Sequence, residues 1–438
     1  AALGDGSVSY TIGAELLNDC ATFSAGQMTN PETSEPGCQV RFFAKSGEQV
    51  GFEHRNSTML IWNDDLGYSP DRVEVEFLLD VSAVETADFA IGAATVNKFE
   101  LQVDCETVLR RDVMGEYHDI AEATLQPPTL GTKIDLKGRK VIRVKAIVTE
   151  AGVPEVHGAV SIMVGEVARN DDPQALIDRA VEKAKKADVA IVVVGTTSAV
   201  ESEGFDRQSI KLPGHQDELV RAIARANLNT VVVVNSGSPV DMPWRDDVAA
   251  ILVSWFGGQE MGPALSNVLL GRAEPSGRLP TSWVMADEGE PLETSPMDGK
   301  LHYTEGLSIG YRRVQANISF PFGFGLGYGN WTLKSAAVEV GSKSVKVHAE
   351  INNASAFNSR GFCQVYASKP DSAFNRSKRW LVGWGRTNPG LGNQSVEITI
   401  PLNYLETYSD GWYLEPGTYQ IQVALDAGEP GLVFQVEI

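Results

Sequence analysis

The residues best suited to chemistry lie in one short acidic segment, Val200–Arg207. It holds three carboxylates, an arginine and Gly204, a residue that gives the backbone freedom to turn. A carboxyl group whose pKa is raised by partial burial can act as a proton donor in bond cleavage. Glu203, which precedes the glycine, is therefore a candidate general acid, although a solvated acidic loop would have the same composition.

The other carboxylates are weaker candidates for chemistry. Glu201 is as ambiguous as Glu203, and the neighbours Asp206 and Arg207 favour a local ion pair that shapes the loop. Cleavage by a carboxylate pair needs a second acidic side chain, and none in this chain has an equally suggestive context. Asp241 follows Gly237–Val240 at the end of the second predicted strand and either lines a site or, as its residue type favours, caps a helix.

The elements that must position Glu203 are indicated by a change in the hydrophobic period. Three continuous apolar runs, Val189–Val194, Thr230–Val234 and Ala249–Trp255, alternate with helically spaced apolar residues. This pattern predicts a parallel sheet covered by helices on both faces. Ligands bind such sheets at the carboxyl ends of the strands, and the loop Gly195–Gly214 follows the first run. We therefore expect the chemistry in this loop.

Two other parts of the chain alternate with period two and predict β-sandwiches. Gly, Pro and Asp separate the runs in residues 25–168, and a domain of about 108 residues, typical of an immunoglobulin-like sandwich, follows residue 330. Residues 1–24 carry one strand-like stretch, Val8–Gly13, too short to make a domain. The predicted divisions are residues 1–24 as a fragment of the α/β domain, 25–168 as a β-sandwich insert, 169–330 as the α/β domain with the acidic loop, and 331–438 as the second β-sandwich.

Charge and cysteine content exclude several classes of protein. A formal net charge of −20 and a pI near 4.8 disfavour binding to nucleic acids, and no apolar run is long enough for a membrane span. The four cysteines and six histidines lack metal-site spacing, so no metal or cofactor is expected, although Cys20 and Cys38 are candidates for a disulfide.

Other residues have plain structural alternatives. Trp244, Trp255 and Trp283 are candidates to stack on sugar rings, with core burial favoured for Trp255. Ser236–Ser238 lacks the glycines of a nucleophile elbow. The glycines of Phe320–Tyr328 precede no Lys-Ser/Thr pair, so this stretch predicts a close-packed turn and not a phosphate site.

Several Asn-x-Ser/Thr acceptors favour a secreted protein with surface glycans. Because the chain opens at Ala1 with no initiator methionine or signal peptide, we expect a processed or trimmed chain. The six acceptors are Asn56, Asn317, Asn330, Asn353, Asn375 and Asn393.

Several motifs together resemble one enzyme family. Six segments stand in the order and spacing of the second domain of glycoside hydrolase family 3: Ala187–Gly195, Glu201–Arg207, Leu212–Gln216, Asn235–Val240, Trp255–Glu260 and Gly277–Pro280. The later segments Tyr303–Arg312 and Phe320–Tyr328 resemble the stretch that leads into this family's fibronectin type III-like domain. Residues 25–168 are similar to the protective-antigen-like insert that some β-glucosidases of the family carry.

The resemblance implies a role for Glu203 and a partner for the chain. In members with this loop, the second glutamate is the general acid/base, which corresponds to Glu203, and an aspartate nucleophile lies in an N-terminal (β/α)8 barrel that this chain lacks. We therefore expect the C-terminal portion of a secreted, retaining, exo-acting β-glucosidase that removes non-reducing terminal β-D-glucosyl residues. This portion would be inactive until it joins a fragment carrying the barrel.

Two other functions remain open at this point. A non-catalytic glycan-binding or adhesion protein derived from the same family would bind sugar without hydrolysis. A nucleotide-binding parallel-sheet domain is disfavoured by the missing glycine fingerprint and by the negative charge.

Overall fold

The computed structural model describes most of the chain and divides it into two compact units. One comprises Ala1–Gln208, Leu212–Val232 and Asp247–Ala250, and the other comprises Ser209–Lys211, Val233–Asp246 and Ile251–Ile438. The described residues are 8–15, 20–62, 70–82, 86–94, 96–112, 127, 129–151, 160–167, 172–197, 200–202, 207, 209–285, 299–313 and 318–438.

Two antiparallel sheets sharing one hydrophobic core form the first part of the chain. One sheet has the strand order β1-β12-β7-β10 with β5 beside β12, and the other β4-β3-β6-β11-β8-β9 with β2 beside β6. The strands are β1 (Ala21–Thr22), β2 (Met28–Thr29), β3 (Cys38–Phe43), β4 (Gln49–Arg55), β5 (Met59–Trp62), β6 (Arg72–Asp80), β7 (Thr86–Ala94), β8 (Val96–Val103), β9 (Glu106–Asp112), β10 (Thr129–Asp135), β11 (Val141–Ala151) and β12 (Val160–Glu166).

Strand β6 shows how the alternating sequence builds this core. Val73, Val75 and Phe77 are fully buried on one face, as period-two alternation predicts. On the other face Glu76 accepts hydrogen bonds from Gln39 Nε2 at 2.6 Å and from Arg143 Nη1 at 2.8 Å. Burial raises the pKa of Glu76, but these hydrogen bonds outweigh it and hold the pKa below its usual value.

The disulfide considered for Cys20 and Cys38 is not formed. Both are buried thiols, and Cys38 Sγ donates to the Ser57 carbonyl oxygen at 3.6 Å. Burial raises the pKa of the Cys38 thiol to about 11, which keeps it protonated and unreactive at neutral pH.

A mixed α/β segment follows, and the boundary between the two units runs through its central strand. The sheet has the order β13-β14-β15. Its elements are α1 (Pro173–Ala184), β13 (Ala190–Gly195), α2 (Gln216–Ala226), β14 (Thr230–Asn235), β15 (Ala250–Val253) and α3 (Met261–Leu269). Hydrogen bonds from Ala249 N to Thr230 O and from Ser254 N to Val234 O advance in the same direction along both strands, so β14 and β15 are parallel.

The ends of the helices follow the sequence. Asp172 caps α1 by accepting a hydrogen bond from Gln174 N at 3.1 Å, and Pro173 occupies the first turn. Gly271, with φ of +68°, terminates α3 as predicted. No described helix is both long and apolar enough to cross a membrane.

One sequence expectation for the α/β segment is wrong, and another holds for only part of the sheet. Residues 8–15 contain no strand; instead Gly13 lies against Leu219 of α2, and Lys183 of α1 donates to the Tyr10 carbonyl at 3.2 Å. Coverage of both faces also holds only for the central strand, where the consecutive residues Val232, Val233 and Val234 are fully buried, and not for β13. Alternate residues of β13 and its approach, Val189, Ile191 and Val193, are 52%, 51% and 59% exposed, because the described helices of this unit cover only the opposite face.

The second unit ends in two sheets that share another core. The strand orders are β18-β19-β22 and β21-β20-β25-β26, with the two-stranded ribbons β16-β17 and β23-β24 in addition. The strands are β16 (Trp283–Val284), β17 (Ile318–Phe320), β18 (Trp331–Val340), β19 (Ser344–Asn353), β20 (Phe362–Ser368), β21 (Trp380–Arg386), β22 (Gly392–Pro401), β23 (Thr407–Tyr408), β24 (Trp412–Tyr413), β25 (Thr418–Ala424) and β26 (Leu432–Glu437).

The glycine-rich stretch Phe320–Tyr328 forms the close-packed turn predicted from its sequence. Gly323 has a φ of +82°, and a Cβ there would lie 2.2 Å from the Gln364 side chain. A Cβ at Gly325 would lie 2.6 Å from the carbonyl oxygen of Gly277. These glycines therefore serve close backbone approach and not the binding of phosphate.

Candidate functional site

The candidate site is the loop between β13 and α2, and the structure describes only part of it. Residues 195–197, 200–202, 207 and 209–214 are described, whereas Glu203 and Asp206 lie outside the described residues. The role of Glu203 and the expected Asp206–Arg207 ion pair therefore stay predictions. The described ends of the loop show how the backbone is held on each side of them.

Gln216, the first residue of α2, closes the base of this loop. Its Oε1 accepts a hydrogen bond from Gly195 N at 2.8 Å, and its Nε2 donates to Gly195 O at 2.8 Å and to Pro213 O at 2.9 Å. The side chain is buried, so these bonds are shielded from water. Gln216 thus joins the residue that opens the loop to the one that precedes its final glycine.

The turn before α2 depends on Gly214. Its φ of +64° lies in the left-handed region, which glycine adopts without strain. The sequence Leu212–Gln216 follows from these roles, because Gly214 makes the turn and Gln216 bonds back to Pro213. Sequence reasoning singled out the segment but missed the bridging role of the glutamine.

Glu201 is fixed by two side chains from the same loop. Thr196 Oγ1 donates to Glu201 Oε2, and Arg207 Nη1 lies 3.7 Å from Glu201 Oε1. The Glu201 backbone N–H also donates to Thr197 O at 3.0 Å. A carboxylate held in this way shapes the loop, which favours the structural interpretation of Glu201 over a proton-transfer role.

The electrostatics of this loop keep Arg207 charged beside Glu201. Burial lowers the pKa of Arg207, and the neighbouring Glu201 carboxylate opposes that change. The guanidinium has an ordinary pKa so high that it remains charged across the working pH range. Arg207 therefore supplies a fixed positive charge immediately after the undescribed part of the loop.

Asp241 does not cap a helix. The stretch that follows it, residues 242–249, forms turns within the fully described range 209–285. Asp241 is buried, and its backbone N–H donates a hydrogen bond to Ile210 O at 2.7 Å. Asp241 is thereby tied to the end of the acidic loop within the second unit.

The three tryptophans considered for sugar stacking are mostly core residues. Trp244 and Trp283 are fully buried, which leaves no ring face for a ligand. Trp255 is half-buried, meets Trp283 edge to face at 5.9 Å, and has a φ of +54°. Such a backbone conformation is rare for a bulky residue and marks a strained position at the end of β15, which no sequence signal revealed.

Asn235 opens one of the segments that carry the family resemblance, although the sequence predicted no chemical role for it. It ends β14, and its buried Oδ1 has no hydrogen-bond partner among the described residues. Buried acceptors are normally satisfied, so this atom is available to a group that the described structure does not contain. Among the described residues no cluster of His, Cys, Asp and Glu has the form of a metal site.

The glycosylation acceptors differ in accessibility. Asn56, Asn330, Asn375 and Asn393 are exposed, and Asn317 lies outside the described residues. Asn353 is 3% exposed, and its Nδ2 donates to Phe357 O at 2.8 Å and to Gly390 O at 2.9 Å. The prediction for Asn353 is therefore corrected, because a glycan on this nitrogen is incompatible with the fold.

Comparison with known proteins places these features in context. A β-glucosidase B from Emericella nidulans is 28% identical over 461 aligned positions, covering 97% of this chain and 53% of that protein. An exo-α-(1→6)-L-arabinopyranosidase from Bifidobacterium breve is 36% identical over 265 positions, covering 58% of this chain and 35% of that protein. The chain thus spans about half, or less, of the relatives that it matches.

The fold has a solved counterpart. A crystal structure of β-glucosidase from Kluyveromyces marxianus in complex with glucose superposes with a TM-score of 0.85 at 24% identity, over 98% of this chain and 54% of that one. At this identity the likeness concerns the fold alone.

The family assignment rests on a long continuous match. Residues 42–328 match the glycosyl hydrolase family 3 C-terminal domain. The match includes the acidic loop, the Gln216 bridge and the glycine-rich turn described above. The chain therefore belongs to glycoside hydrolase family 3.

Proposed function

We propose that this chain supplies the general acid/base of a retaining, exo-acting β-glucosidase that hydrolyses non-reducing terminal β-D-glucosyl residues. The observation that carries the proposal is the loop between β13 and α2, whose two ends Gln216 joins. The loop lies within the family match, and its sequence around Glu203 resembles the family's acid/base motif, which supports the proposed role. A loop closed at its base restricts where the intervening residues can lie.

In this mechanism Glu203 acts twice. It protonates the glycosidic oxygen of the leaving group, and it later removes a proton from the water that releases the sugar. The nucleophile is an aspartate on an N-terminal (β/α)8 barrel, which forms a covalent ester with the sugar. Glu201 shapes the loop through Thr196 and Arg207 and takes no part in proton transfer.

The proposed architecture has four parts. Residues 1–24 and 169–330 belong to an α/β sandwich domain, residues 25–168 to a protective-antigen-like insert, and residues 331–438 to a fibronectin type III-like domain. The contact of Gly13 with Leu219 supports the first assignment, because it joins the opening segment to α2. The two separate cores support the two β-sandwiches.

The uncovered face of β13 supports a missing partner. Val189, Ile191 and Val193 expose an apolar stripe, although each valine or isoleucine gains roughly 1.5–3 kcal/mol when fully buried. We propose that a fragment carrying the barrel associates with this chain and that the chain alone is inactive. Native and denatured mass spectrometry of the same purified sample test this, since one species of 47.3 kDa plus glycans under both conditions would contradict it.

The site of action is proposed to be extracellular. The four exposed acceptors, Asn56, Asn330, Asn375 and Asn393, support a secreted glycoprotein. The substrate is accordingly a soluble β-glucoside or oligosaccharide outside the cell.

The activity is tested with native, unseparated material on an aryl β-glucoside, with denaturing electrophoresis of the same sample. An aryl α-L-arabinopyranoside is assayed in parallel, because a relative carries that name. Preference for the β-glucoside supports the proposal. Sugar binding without hydrolysis of either substrate, with every copurifying chain retained, would instead indicate the non-catalytic glycan-binding or adhesion protein.

A further inference from the structure

An exposed pair of aromatic side chains lies on the β23–β24 hairpin, far along the chain from the acidic loop. Tyr408 and Trp412 are direct cross-strand partners, 66% and 72% exposed, with ring centroids 5.6 Å apart and planes inclined at 76°. Neither ring belongs to the core of this unit, whose residues come from the two larger sheets. Large exposed aromatic rings therefore need an explanation other than folding.

The hairpin is shaped by other residues. Its loop turns at Asp410 and Gly411, whose φ values are +54° and +155°, and Ser409 N donates to Gly411 O at 2.9 Å. On the opposite face of the ribbon, Tyr413 meets Phe374 with ring centroids 5.7 Å apart. The Tyr408–Trp412 pair is thus displayed by the hairpin and not required to close it.

A buried ion pair fixes both ends of the hairpin. Arg376 Nη1 donates to Leu405 O at 2.9 Å before β23, and Arg376 Nε lies 3.5 Å from Glu415 Oε2 after β24. Glu415 also accepts hydrogen bonds from Ser372 Oγ at 2.6 Å and Ala373 N at 2.7 Å. Because its ends are held, the hairpin presents the rings with little loss of conformational entropy on binding.

The chemistry of the pair suits a sugar chain. Each ring has a flat apolar face and a polar edge, the Tyr408 hydroxyl or the Trp412 indole N–H, and so matches a ligand with an apolar face and a hydroxyl rim. The charged residues within the hairpin itself, Glu406 and Asp410, are acidic, the nearby Arg376 is paired with Glu415, and the chain carries a net charge of −20. Anionic polysaccharides and anionic membranes are therefore repelled, whereas a neutral glycan is not.

We propose that Tyr408 and Trp412 form a binding site for a neutral β-glucan chain, made of residues other than those proposed for hydrolysis. Each of the two inclined rings contacts one sugar unit through its face, and the two sugar units are consecutive in a twisted chain. The choice of β-glucan rests on the proposed function, but binding itself requires no hydrolysis. The pair would hold the protein near the polymer from which its short substrates are released.

Affinity electrophoresis of the full chain in gels containing soluble mixed-linkage β-glucan tests the proposal. We expect retardation of the wild type, and for Trp412→Ala a dissociation constant at least about tenfold higher, as loss of one stacking residue gives. Trp384→Ala is the matched control, because Trp384 is also exposed, at 63%, but lies on β21. Unchanged thermal unfolding of both variants shows that folding is preserved.

Other outcomes overturn the inference. The inference is wrong if β-glucan does not retard the wild type, if Trp412→Ala and Trp384→Ala lose equal affinity for β-glucan, or if Trp412→Ala keeps the wild-type affinity. It is also wrong if the wild type sediments with uncharged lipid vesicles and does not bind β-glucan. A dimer that dissociates in the Trp412→Ala variant would show that a second copy of the chain covers the Tyr408–Trp412 pair.

Quenching of tryptophan fluorescence by β-glucan gives an independent measurement, and we expect this quenching to be lost in Trp412→Phe. An active enzyme without retention would contradict this inference and leave the proposed function intact.

Discussion

Gln216 and Gly195 are joined by a reciprocal pair of hydrogen bonds, each 2.8 Å long, between a side-chain amide and a backbone peptide group. The same amide reaches Pro213, so one buried residue holds both ends of the loop that contains Glu203. These three hydrogen bonds hold the base of the loop. Its geometry therefore depends on Gln216.

We predict that Gln216→Ala destabilises the protein by about 1–3 kcal/mol, since it leaves buried backbone groups of Gly195 unsatisfied. Urea unfolding followed by circular dichroism measures this. Gln174→Ala is the control, because Gln174 is exposed on α1 and its side-chain amide donates to the exposed Asp178, while the backbone bond to Asp172 is kept in the variant. Equal effects of the two substitutions would show that the bridge contributes nothing.

The Glu76 network predicts a specific pH dependence. The pKa of Glu76 in the folded state lies below its ordinary value of 4.5, so its stabilising contribution is present above that value and is lost as pH falls through the folded pKa. Glu76→Gln should lower the free energy of unfolding at pH 7 by roughly 1–2 kcal/mol, because Arg143 is partly exposed, and should flatten the acid limb of the stability profile.

Unfolding by urea across pH 3–7, taken as a rough working range, checks this prediction. Glu48→Gln is the matched control, since Glu48 is exposed in the same half of the chain. An acid limb of unchanged slope in Glu76→Gln would contradict the assignment.

The close-packed turn predicts a difference between two glycines. Gly323→Ala should destabilise the protein by about 1–3 kcal/mol, because its φ of +82° and the nearby Gln364 side chain both oppose a Cβ. Gly277→Ala should be nearly neutral, since a Cβ there meets nothing within 4 Å. Thermal unfolding of the two variants gives the comparison, and similar melting temperatures would refute the steric argument.

Glycan occupancy should follow burial. In protein secreted from a eukaryotic host, we expect modification at some or all of Asn56, Asn330, Asn375 and Asn393, and none at Asn353, whose Nδ2 is engaged with two carbonyl oxygens. Glycopeptide mass spectrometry after enzymatic deglycosylation in heavy-oxygen water measures each position. A substantially occupied Asn353 in folded protein would show that its burial is incorrect.

The spacing of apolar residues and the residue types at helix ends were enough to predict many of the helices and strands. The alternation of Val73, Val75 and Phe77 predicts a strand with one buried face, and Asp172–Pro173 predicts the start of α1. Val8–Gly13 has the same strand-like composition, yet it forms no strand, because no described strand pairs with it. Composition predicts what a segment can form, whereas pairing depends on residues distant in the sequence.

The site was predictable only in part. The acidic segment was evident from its carboxylates, but the bridge made by Gln216 depends on a loop returning to its own start, which spacing does not encode. The helix cap predicted at Asp241 is absent, because residue type favours a cap wherever a helix can begin and here only turns follow. The exposed stripe on β13 has the sequence of a buried strand, because the pattern is the same whether a strand is buried within its own chain or by a partner of the kind proposed here.

The central claim is that Glu203 is the general acid/base, and it is tested most directly by Glu203→Ala in the complete enzyme. If Glu203 has this role, the variant shows a large loss of kcat/KM on glycosides with poor leaving groups and a much smaller loss on activated aryl glycosides, which need little protonation. Added azide should restore turnover of the activated substrates and yield the β-glycosyl azide. Equal losses on both kinds of substrate, with no rescue by azide, would contradict the assignment.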